Sequence, residues 1–136
     1  MKKSTEEARS IARHINRWLT EYVPSQKSSS PHTIKSYTLS LSLYIRFLEI
    51  EKKIEPASLC LGCFCCANIE EWLVWLVRNR KSSPETCNNR LAALRAFLKY
   101  LGSRNVSLLL LSQEASQIPR RKTFRKKING MSKKAM

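Results

Sequence analysis

Ser83-Pro84-Glu85-Thr86-Cys87-Asn88-Asn89-Arg90-Leu91 opens a helix, and Ser30-Pro31-His32-Thr33 opens another in nearly the same words. In each, serine supplies an N-cap oxygen for first-turn amides, and proline takes the first helical position, where its missing N–H is no loss. Leucines follow at matching places: Leu41 and Leu48 after the first phrase, Leu94 and Leu101 after the second. Cations and amides lie between them: Lys35, Ser36 and Arg46, then Asn88, Asn89, Arg90, Arg95 and Lys99. Two similarly capped helices with basic, amide-bearing faces suggest a clamp for nucleic acid.

Working outward, the periodicity predicts five helices. The first runs from Thr5 to about Val23, with Ser4 and Glu7 at capping-box spacing and Pro24 beyond its end. Ile11, Ile15, Trp18, Leu19 and Tyr22 form its apolar stripe, and Arg9, Arg13 and Arg17 line another face. Ser25 to Ser29 make a polar loop. The second helix, about 31–53, is apolar over so wide an arc that it belongs at the centre of a bundle. Pro56 stops it. Asn68 with Glu71 starts a third, about 69–80, burying Ile69, Trp72, Leu73 and Leu76, with Trp75 off the stripe and partly exposed. The fourth is 84–101, with Gly102 as its C′ residue. A short fifth runs from Val106 to about Ala115, and Pro119 marks a boundary. No segment alternates with period two for long enough to be a strand, so the fold class is all-α.

The charge narrows the partner. The chain has 136 residues and a formal net charge of +15; every acid is a glutamate. Residues 120–136 alone carry eight cations, beginning with Arg120, Arg121 and Lys122, and no acid. A basic tail on a basic domain favours a polyanion, most often nucleic acid. No apolar span approaches transmembrane length and no signal-peptide stretch opens the chain, which disfavours a membrane partner. Five cysteines without a secretory signal point to a reducing, cytoplasmic compartment. Cys60-Leu61-Gly62-Cys63 has the spacing of half a zinc site, but no second spaced pair follows, and Leu59, Leu61 and Phe64 favour packed thiols over metal. No cofactor, metal or small-molecule substrate is expected.

On the fourth helix, Asn88, Ala92, Arg95 and Lys99 are spaced 4, 3 and 4 and are expected to share one face. Small side chains allow close approach to a groove, Asn or Arg reads base edges, and Lys holds phosphates. Thr86 beside the helix start, and Thr33, Lys35 and Ser36 at the start of the second helix, make a parallel set. The competing reading is that the threonines only cap and the cations form a solvated face.

The run from Ser30 through Tyr37, then Leu41 and Phe47-Leu48, resembles the first half of the N-terminal core-binding domain of the tyrosine recombinases, or phage integrases. The run from Ser83 through Leu101 resembles the second half more closely. The likeness covers roughly residues 5–119, with Ile118-Pro119 and the following cations similar to the linker into the family's catalytic domain. It implies a SAM-like bundle of four main helices covering one side of a double-stranded recombination site. The starts of the second and fourth helices would then lie in or near the major groove, through Thr33, Lys35, Ser36, Thr86, Asn88, Asn89, Arg90 and Arg95. The family's nucleophilic tyrosine and its arginine, lysine and histidine partners belong to a later domain. Tyr22, Tyr37, Tyr44 and Tyr100 read instead as core or rim aromatics, so no catalysis is expected of these 136 residues alone. Two rival functions stay open at this point: a helical protein–protein module and a small dimeric transcription regulator.

Overall fold

The computed structural model describes residues 4–25, 30–104 and 109–119, and among these residues every regular element is helical. The expected start of the fifth helix at Val106, and Arg120, Arg121 and Lys122, lie outside the described residues. Helix α1 is Glu6–Arg17, and it runs on without a break through a π-helical turn, Trp18–Tyr22, into a last turn at Val23–Ser25. Thr5, not Ser4, is the cap: its hydroxyl accepts from the Ala8 amide at 3.0 Å. Glu7 is therefore released from the expected capping box, and its carboxylate accepts from the Leu61 amide at 2.9 Å instead.

Helix α2 is Pro31–Glu51, α3 is Cys66–Arg80, α4 is Pro84–Arg104 and α5 is Leu109–Ser116. Two 3₁₀ turns, Pro56–Ser58 and Leu61–Phe64, bridge α2 to α3. The third helix starts three residues earlier than its periodicity predicted. Asn68 does not cap it; the Asn68 side chain donates to the Cys63 carbonyl at 3.2 Å.

The core is built on aromatic rings. Trp18, 1% exposed, stacks on Tyr37 with centroids 4.9 Å apart and leans on Phe97 at 5.2 Å. Tyr44 meets Phe64, Trp72 and Phe47, and its hydroxyl donates to the Cys63 carbonyl at 2.6 Å. Ring pairs like these add to the area term that drives the packing. Trp75 is buried, contrary to the expectation of partial exposure, because α2 crosses α3 there and sets Phe47 against it at 5.8 Å.

Gly102 is not a C′ residue either. It stays helical and buried while α4 continues to Arg104. A Cβ there would lie 3.4 Å from the Ser112 Cβ and 3.5 Å from the Leu109 Cα, so its lack of a side chain lets α5 fold back closely on α4.

Candidate nucleic-acid interface

Both helix-opening phrases behave as their residues dictate. The Ser30 hydroxyl accepts from the His32 amide at 3.1 Å, with Pro31 in the first turn of α2. The Ser83 hydroxyl accepts from the Thr86 amide at 3.1 Å and donates to the Thr86 hydroxyl at the same distance. At the start of α2, Lys35 is exposed while Thr33 and Ser36 are half-buried.

A side-chain relay joins the two helices. Arg90 Nη1 donates to Ser40 Oγ at 3.3 Å, and Ser40 Oγ donates to the Ser36 carbonyl at 2.8 Å. Ser40 is fully buried, so the relay ties the early turns of α4 to those of α2 through the interior. Arg90 itself is half-buried, and its pKa is drawn below the usual arginine value by that burial and then by the positive charge of Arg80. It remains a cation. Arg80 and Lys81 end α3, only two residues before the Ser83 cap, and both are exposed. Lys81 has φ 54°, and its amide and that of Ser82 turn back to the Val77 and Leu76 carbonyls. That left-handed closure lets α3 stop abruptly and deliver its cations beside the start of α4.

Arg80 and Lys81 escaped the sequence reading, which took the segment as a mere break between helices. The available signal was their position immediately before a capped helix start.

Two expected contacts are corrected. Asn88 is 5% exposed and faces the interior, next to Cys87 and one turn from Leu91. Arg95 is half-buried, and its guanidinium turns to α5: Nε donates to the Ala115 carbonyl at 2.9 Å and Nη2 to the Ile118 carbonyl. Neither head group lies on an open face. The solvent face of α4 instead carries Asn89, Ala92 and Lys99, rotated by one residue at its leading end. Thus Ser36, Arg90 and Arg80 are brought together, with Lys35 and Asn89 next to them in sequence and Thr86 one helical turn before Arg90. Lys99, nine residues beyond Arg90 and therefore about 14 Å further along the helix, stands apart from this cluster.

Among the described residues, no three His, Cys, Asp or Glu side chains converge as metal ligands, and no helix is long and apolar enough to cross a membrane. His14 is half-buried with Nδ1 2.7 Å from the Ser10 carbonyl and its ring edge-on to Tyr100.

An all-helical bundle with this pair of capped helices has the organisation of a SAM-like domain, and the family model for the phage integrase N-terminal SAM-like domain matches residues 15–105. The chain belongs to that family, the tyrosine recombinases. It is also similar to the tyrosine recombinase XerC of Chlamydia caviae, being 26% identical over 93 residues, 59% of this chain. The match spans 30% of that relative's length. No solved structure matches.

Proposed function

We propose that residues 1–119 form a module that grips duplex DNA within a site-specific tyrosine recombinase, and that residues 120–136 are a basic linker toward a catalytic domain. The observation that carries this reading is the Arg90–Ser40–Ser36 relay. It ties the early turns of α2 and α4 together and sets Arg80 close enough for its positive charge to act on Arg90. Two guanidinium groups held near each other repel unless an anion lies between them, and a DNA phosphate is that anion. In this reading Lys35, Arg80, Lys81 and Arg90 hold phosphates, and Lys99 reaches the backbone further along. Asn89 faces base edges, and Thr33, Ser36 and Thr86 serve the backbone near the groove wall. Arg120, Arg121 and Lys122 extend the basic track. Strand cleavage belongs to the catalytic domain, and the four tyrosines of this chain have structural roles.

Fluorescence anisotropy of a labelled random duplex with the full chain tests the reading at two salt concentrations. Phosphate-dominated binding loses log affinity against log salt with a slope of about −0.9 per phosphate neutralised. A flat profile, or no binding at low salt, overturns it.

A further inference from the structure

The cysteine-rich connection takes no part in the proposed DNA contact, yet it holds a sulfur pair. Cys60 precedes the 3₁₀ turn Leu61–Phe64, and the Cys63 amide donates to the Cys60 carbonyl at 3.1 Å. Side chains three residues apart eclipse one another in 3₁₀ geometry. Here the eclipse brings the two Sγ atoms to 3.2 Å. Both cysteines are free thiols, Cys60 half-buried and Cys63 buried. A disulfide bond is about 2.05 Å long, so closing it moves the sulfurs together by little more than an ångström.

The turn can accept that movement. It is moored by the Leu61 amide to Glu7 on α1, and by the Cys63 carbonyl to the Tyr44 hydroxyl on α2 and the Asn68 side chain on α3. None of these bonds uses a thiol. Gly62 places no side chain beside the accessible sulfur; even a Cβ there would stay 3.9 Å from Cys60 Sγ.

We propose that Cys60 and Cys63 are a dithiol redox site that closes to an intramolecular disulfide by exchange with a small-molecule disulfide such as oxidised glutathione. The Cys60 thiolate attacks one sulfur of the reagent, forming a mixed disulfide and expelling one glutathione thiolate, which takes up a proton. The Cys63 thiolate then attacks Cys60 Sγ and expels the second glutathione. The two protein thiols are oxidised by two electrons and one disulfide reagent is reduced to two thiols. Ring closure is the slow step, because burial of Cys63 disfavours its thiolate. In a compartment with a glutathione pool such a pair reports the redox poise rather than serving as a permanent staple.

The test uses the full chain and its C65S/C66S variant, equilibrated in oxidised and reduced glutathione mixtures, alkylated, digested and mapped by mass spectrometry. The expected result is loss of two hydrogens from the Cys60–Cys63 peptide in both proteins, reversed by dithiothreitol and abolished by adding C60S. Closure from the mixed disulfide is expected to quicken by about tenfold per pH unit between pH 7 and 9, as the Cys63 thiolate fraction grows. A glutathione adduct on Cys60 that never closes, or a bond mapping to Cys65–Cys66 or between two chains instead, overturns the proposal.

Discussion

Arg95 holds Ala115, 20 residues further along the sequence: its Nε donates to the Ala115 carbonyl oxygen at 2.9 Å. The acceptor sits in the last turn of α5, where the same carbonyl also accepts from the Ile118 amide at 3.2 Å. With the Ile118 carbonyl bonded to the same guanidinium, and Ala115 and Ile118 each 1% exposed, the end of α5 is fastened to α4. The residue expected to read DNA thus holds two helices together.

Arg95→Ala is expected to lower unfolding free energy by about 2–3 kcal/mol, the scale of charge-assisted hydrogen bonds lost from buried acceptors. Urea titration measures the loss, and hydrogen exchange should locate it in residues 109–118. Uniform acceleration of exchange through α2 and α3 instead would contradict a local fastening.

Asn88 and Asn89 should separate cleanly. Asn88→Ala removes a buried polar group and is expected to cost about 1–3 kcal/mol of stability. Asn89→Ala, on the exposed face, should alter stability by no more than about 0.5 kcal/mol and should weaken duplex binding. Urea titration and anisotropy on both variants check the pair.

Lys81 carries two opposed effects. Its left-handed backbone costs a non-glycine residue about 1 kcal/mol, so Lys81→Gly should stabilise the fold by roughly that amount. The same change deletes a proposed phosphate contact and should make the salt slope shallower by about 0.9. A variant that is more stable and binds as tightly at low salt would remove Lys81 from the interface.

Stability should fall in alkali. Burial raises the Tyr44 phenol above its ordinary range and pushes the Cys63 thiol from 9.0 up to about 11. Both groups keep their protons more firmly when folded, so the native state binds more protons in this window and stability drops as pH rises. Cys63 contributes fully below about pH 9 and loses its share by about pH 11, on the order of 2 kcal/mol. Urea midpoints from pH 8 to 11 should decline less steeply in Cys63→Ala, and an unchanged slope would contradict the assignment.

The starts of α2 and α4 were legible because their signals are local: a serine cap and a proline within two residues. The breadth of the buried arc on α4 was not. Leu91, Leu94, Leu98 and Leu101 are buried, but Ala93, Phe97 and Tyr100 are buried too, because several elements pack around this helix. Asn88 falls inside that arc, where residue type alone suggested exposure. Arg95 finds its acceptors 20 and 23 residues downstream, a pairing that no local pattern announces. The same holds for Glu7, whose capping-box spacing lost to an amide 54 residues away.

Amide chemical-shift mapping of the full chain titrated with a duplex at low salt tests the central claim most directly. Perturbations are expected to gather at residues 30–36, 80–81 and 86–90 and to fade together as salt is raised. Perturbations centred on exposed Leu109 and Leu110 of α5, or none at all, would contradict it.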